Sequence, residues 1–112
     1  MVDNNIPMTE IEALVYGYLV ERKILFKFQS SLMGGIYNLG GAVIDFLLPR
    51  RRLAFRVMGE YWHRGIAKEG ADIIQKENLT AMGLTVIDLW EEDLHNRLEE
   101  TMTKALLGVE MI

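Results

Sequence analysis

Residues 42–63 read AVIDFLLPRRRLAFRVMGEYWH. Two apolar runs flank a Pro-Arg-Arg-Arg turn. Pro49 has no N–H to continue a ladder, so the runs should fold back on each other as an antiparallel hairpin. Each run carries one charge where a buried strand tolerates none: Asp45 in the first, Arg56 in the second. An unpaired buried carboxylate is costly, so Asp45 needs an ionic partner, a metal or a cleft. The strand period of two places Arg56, Met58 and Glu60 on one face, and Phe55 and Val57 on the other. If Asp45 shares the first face, the end of the hairpin collects Asp45, Glu60 and His63. Such an oxygen-rich cluster suits magnesium, which needs only one or two carboxylates. The simpler alternative is an Asp45–Arg56 ion pair across the hairpin.

Working outward, TEIEALVYGYLVERK reads as an opening helix. Thr9 and Glu12 have the spacing of a capping box, and Ile11, Leu14, Val15, Tyr18 and Leu19 form one apolar face. ILFKFQ follows as a strand, then a glycine-rich loop with a short strand at Ile36 and Tyr37. Past the hairpin a second helix should run from about Ile66 to Met82, with Gly83 as its stop. LTVIDLW is the last strand, and Asp88 within it reads as an exposed strand-end residue. EEDLHNRLEETMTKALL is a single last helix carrying Leu94, Leu98, Met102 and Leu106 as a stripe. The helical crossover makes the strands on either side of the second helix parallel. The expectation is one α/β domain over 1–112, a mixed sheet flanked by helices in the order α-β-β-β-α-β-α.

The net charge is −4 and there is no cysteine. This argues against a general polyanion binder, a disulfide framework and a thiolate zinc site. Positive residues nevertheless gather early, at Arg50, Arg51, Arg52, Arg56 and Arg64 among others, while acids crowd the C-terminal third. A local basic face can bind phosphate on an acidic protein. No signal peptide or membrane span is legible, so a cytoplasmic, intracellular setting is expected.

The segment VIDFLLPRRRLAFRVMGEYWH, followed by D..K..L...G..VIDLWEEDL, resembles the PD-(D/E)XK nuclease superfamily. Within it, the similarity is greatest to very-short-patch-repair endonucleases and small restriction-endonuclease-like domains. The resemblance covers roughly Thr9 to Leu94. It implies a restriction-endonuclease-like fold and a metal-dependent DNA endonuclease or junction-cleaving nuclease using Mg2+ or Mn2+. Asp45 matches the metal-binding aspartate, and His63 the histidine that acts near the scissile phosphate in patch-repair enzymes. For the acid that some members carry on the first helix, Glu10 is preferred over Glu12, because the capping box already accounts for Glu12. The (D/E)-x-K acid and lysine fall on Arg56 and Met58, which cannot fill those roles. Glu60 is then a displaced acid and metal ligand, and Lys76 or Gln75 a displaced partner, with an ordinary surface pair between Lys76 and Asp72 as the plainer reading. Arg56, Arg64 and the turn residues Arg50, Arg51 and Arg52 are candidate DNA contacts. The alternative is a catalytically degenerate nuclease-like module serving nucleic-acid binding or assembly, as in a virion. Cutting both strands would imply a homodimer, with the stripe of the last helix as a candidate surface, although ordinary core packing is the plainer reading of that stripe.

Overall fold

The computed structural model describes residues 7–39, 42–59 and 76–109. Their elements are α1 (Glu10–Glu21), β1 (Lys27–Phe28), a 3-10 turn (Ser31–Met33), β2 (Ile36–Leu39), β3 (Ala42–Ile44), β4 (Phe46–Leu48), β5 (Leu53–Met58), α2 (helical over 76–81), β6 (Thr85–Trp90), α3 (Glu91–Asn96) and α4 (Leu98–Leu106).

The capping box opens α1 as its residues require. Thr9 Oγ1 accepts from the Glu12 N–H at 3.1 Å, and Glu12 Oε1 accepts from the Thr9 N–H at 2.9 Å. The expected face of α1 is the buried one: Ile11, Val15, Tyr18 and Leu19 pack inward. At its end, Arg22 lies 3.7 Å over the Tyr18 ring and grips Glu99 of α4 through two 2.9 Å bonds. Both partners are exposed, so this clasp contributes at most about 1 kcal/mol.

The main sheet runs β1-β4-β5-β6, antiparallel at its first two contacts and parallel at the last. Alternation along the strands divides the interior. Phe46, Leu48, Leu53, Phe55, Ile87 and Leu89 face α1, α3 and α4, whereas Ala54 and Val86 join Ile44 and Leu79 of α2 on the other side. Helices therefore flank a mixed sheet, as expected. The Pro49–Arg52 turn joins β4 to β5, and the Arg52 carbonyl accepts from the Thr85 N–H at 2.9 Å, which ties the turn to the start of β6. Arg52 sits at φ 53 and Gly83, just past α2, at φ 84. A glycine suits the latter left-handed helix stop.

Three expectations are corrected. The first strand of the main sheet shrinks to Lys27–Phe28. The run AVIDFLL is two strands: β3 pairs with β2 in a separate two-stranded sheet, and β4 enters the main sheet after a break at Asp45. The last helix breaks at Arg97, at φ −145 and ψ 49. There the Arg97 N–H donates to the Asp93 carbonyl at 2.7 Å, and its guanidinium pairs with the buried Asp93 carboxylate. The break turns α4 so that its stripe enters the core. Leu94 and Met102 are fully enclosed, and Leu98 and Leu106 pack against the same cluster. The stripe is thus core, the plainer of its two readings, and not a dimer surface. Among the described residues no helix is long and apolar enough to cross a membrane.

Because Met102 has 0% exposure, Met102→Ala should cost roughly 2–5 kcal/mol by denaturant unfolding. The sedimentation behaviour of the native protein should not change. A stable variant with an altered oligomeric state would return the stripe to the surface.

Candidate active site

Asp45 occupies the gap between β3 and β4. Its N–H still donates to the Phe55 carbonyl at 2.9 Å, and its carbonyl accepts from Gln29 N at 3.1 Å. One step further along β5 the ladder has no β4 partner. The Asp45 side chain replaces it: Oδ2 accepts from the Val57 N–H at 2.7 Å. The other oxygen, Oδ1, is buried with no donor among the described residues. It is the kind of atom that needs an explanation.

Glu12 supplies one. It is 1% exposed, facing Asp45 from the first turn of α1. Besides the Thr9 N–H, it accepts from Ser30 Oγ at 2.6 Å and the Ser31 N–H at 2.9 Å. Burial alone would raise its pKa. Those donors prevail and hold Glu12 below the ordinary carboxylate value, so it stays ionised. Asp45 answers in the opposite direction. Burial, against only the Val57 bond, together with the adjacent Glu12 charge, pushes it from 3.8 up to about 7, and Arg56 offsets part of this. With a proton on Asp45, its hydroxyl can donate to Glu12. With both carboxyls ionised, two buried negative charges face each other. A hard divalent cation relieves that repulsion as a proton does, and magnesium requires no more than one or two carboxylates. The pair therefore fits such an ion, although no three His, Asp or Glu side chains cluster as a metal cage among the described residues.

Beside this pair, Arg56 and Asp88 face each other in the parallel register of β5 and β6. Arg56 Nε bonds Asp88 Oδ1 at 2.6 Å, and a terminal guanidinium nitrogen bonds Oδ2 at 2.9 Å. Both side chains are below one-tenth exposed. Lys76 of α2 brings its Nζ to 3.1 Å from Asp88 Oδ2 and remains one-third exposed.

The expected site is accordingly reassigned in part. Asp45 lies at the end of the hairpin away from the turn, but in a break rather than within a strand, and its carboxylate neighbour from α1 is Glu12. Glu10 is exposed at the helix start. Arg56 is 6% exposed, and its guanidinium is bidentate on Asp88 rather than on Asp45 or a substrate. Asp88 is buried and ion-paired rather than exposed. Lys76 meets Asp88. Arg50, Arg51 and Arg52 are exposed at the opposite end of the hairpin from Asp45. Glu60, Trp62, His63, Arg64, Asp72 and Gln75 lie outside the described residues.

The chain matches no known family profile and no curated protein by sequence. Among solved structures it is similar to the catalytic domain of the homing endonuclease I-Bth0305I, at a TM-score of 0.64 and 21% identity. The match covers 88% of this chain and 95% of that one. It establishes a shared fold, a mixed sheet flanked by helices.

The raised Asp45 pKa fixes the sign of a stability effect. The folded state holds this proton more tightly than the unfolded chain, so its contribution is full below about 3.8 and is lost as pH rises through about 7. Glu12, being depressed, contributes the other way and loses its share only in more acid solution. Asp45→Asn cannot ionise. Without divalent ions it should melt above wild type at pH 8, by on the order of 5 °C, with the gap closing near pH 5. Equal melting curves at both pH values would contradict the buried-pair electrostatics.

Proposed function

We propose that the chain is a divalent-metal-dependent DNA endonuclease whose active centre is built on Glu12 and Asp45. The observation that carries this reading is the buried carboxylate pair at a break in the sheet, with one oxygen lacking a donor among the described residues. A neighbouring fold that serves an endonuclease catalytic domain supports it as analogy. Glu12 and Asp45 would hold Mg2+ or Mn2+, which supplies charge neutralisation at the scissile phosphate and activation of water.

The residues of the chain do the rest. Ser30 and the Ser31 N–H orient Glu12, and the Val57 N–H orients Asp45, so both carboxylates are set before substrate arrives. Arg56 is an electrostatic neighbour of Asp45 that favours its ionised form. Glu60, His63 and Arg64 follow Gly59 directly after β5 in sequence. This reading gives His63 proton transfer near the scissile phosphate, Arg64 a backbone contact and Glu60 an auxiliary ligand role. Arg50, Arg51 and Arg52 would touch duplex backbone away from the cut.

The test is cleavage of plain, mismatched and branched duplexes with Mg2+ or Mn2+. Glu12→Gln and Asp45→Asn should each lower the rate by on the order of 100-fold or more, whereas Glu10→Gln should leave it unchanged. A wild type that binds DNA but cuts none of these substrates would instead support the degenerate binding module. Replacing the three turn arginines with glutamine should flatten the salt dependence of DNA binding by up to about 0.9 per lost phosphate contact. An unchanged slope would remove the turn from the DNA surface.

A further inference from the structure

Arg56, Asp88 and Lys76 form a graded series from interior to surface. Arg56 is enclosed and holds both oxygens of Asp88, which fixes the plane of that carboxylate. Asp88 Oδ2, so fixed, lies 3.1 Å from Lys76 Nζ, and Lys76 is the member that reaches the surface. Burying an ion pair seldom adds net stability, because desolvation offsets the attraction. A surface lysine left to itself would sample many rotamers in water. Here the ammonium stands 3.1 Å from a carboxylate whose plane is fixed.

The ammonium is connected to the carboxylates through β5 and β6. Asp45 is bound to Val57 of β5, adjacent to Arg56, and Asp88 is one strand away on β6. Arg56, which Asp45 feels electrostatically, holds Asp88, and Lys76 of α2 meets Asp88, so the ammonium is linked to the carboxylates through two ion pairs. Phosphates along one DNA strand advance about 3.4 Å of helix axis each. A duplex with one phosphate at the carboxylates therefore carries flanking phosphates close by, the kind of group that an ammonium beside Asp88 can take.

We infer that Lys76 binds a backbone phosphate flanking the one at Glu12 and Asp45, and that Asp88, anchored by Arg56, is the positioning residue that holds Lys76 for it. This rests on the nuclease reading for its substrate, but it concerns binding and can be measured without cleavage. A compact ammonium that shares one carboxylate oxygen can turn part of its donor set to phosphate as DNA docks. The sign of the Asp88 effect is diagnostic. Removing a negative charge near DNA should strengthen binding by long-range attraction alone, whereas loss of a positioning residue weakens it.

The experiment measures duplex binding in EDTA, as a function of salt, with phosphates near the preferred site replaced singly by neutral methylphosphonates. Lys76→Met should weaken binding on the order of tenfold and reduce the log–log salt slope by about 0.9. One flanking methylphosphonate should weaken wild type similarly and have no added effect on Lys76→Met. Lys76→Arg should restore most of the loss. Asp88→Asn should weaken binding despite its lost negative charge. If that variant does not fold, the series at the partly exposed Lys76 decides alone. Lys76→Met with wild-type affinity and slope, or with the full methylphosphonate effect at every position, overturns the assignment. So does tighter binding by folded Asp88→Asn. Parallel cleavage assays separate the two readings: loss of the phosphate coupling with Asp45-dependent cleavage intact fails only Lys76, and coupling without any cleavage fails only the nuclease.

Discussion

One carboxylate, that of Glu12, holds together three parts of the chain that are far apart in sequence. It closes the cap of α1 through the Thr9 N–H and fastens the 3-10 turn through Ser30 and Ser31. It also faces Asp45 at the break between β3 and β4. A buried anion with this many donors stays charged. Burial first, and then this fixed charge, make Asp45 hard to ionise. The same side chain is thus a folding device and a source of the site's electrostatics.

The second constraint is the parallel register of β5 and β6, which sets Arg56 against Asp88. The buried base on β5 thus has its counter-charge on the next strand. A buried arginine without Asp88 would be prohibitive, and the reverse holds as well. Bidentate contact with Asp88 orients the guanidinium, and its charge favours the ionised form of Asp45.

Much of this is legible in the sequence alone. The capping box, the hairpin around Pro49, the parallel crossover, the mixed sheet flanked by helices and the unusual status of Asp45 all follow from period and turn chemistry. The residue of α1 that faces Asp45 is Glu12 and not Glu10, for a physical reason. A carboxylate has two oxygens and several lone pairs, so Glu12 can cap a helix and still face Asp45. The Arg56–Asp88 pair has a visible signal. With LAFRVM and TVIDLW laid in parallel, arginine and aspartate occupy the same fourth position. The break at Arg97 is hidden because the apolar spacing runs on through it. Only the Asp93–Arg97 spacing in EEDLHNR hints at a local closure.

We propose that Glu12 and Asp45 form a buried pair that takes up a cation. Carbon-detected NMR titration of the two side-chain carboxyls tests it most directly, first in EDTA and then in millimolar Mg2+. Without divalent ions, Asp45 should titrate near 7, far above its ordinary 3.8, and Glu12 below the ordinary glutamate value. Adding Mg2+ should drive the Asp45 midpoint down, because the cation and the proton compete for the same oxygens. An Asp45 midpoint near its ordinary 3.8, indifferent to Mg2+, would contradict the account.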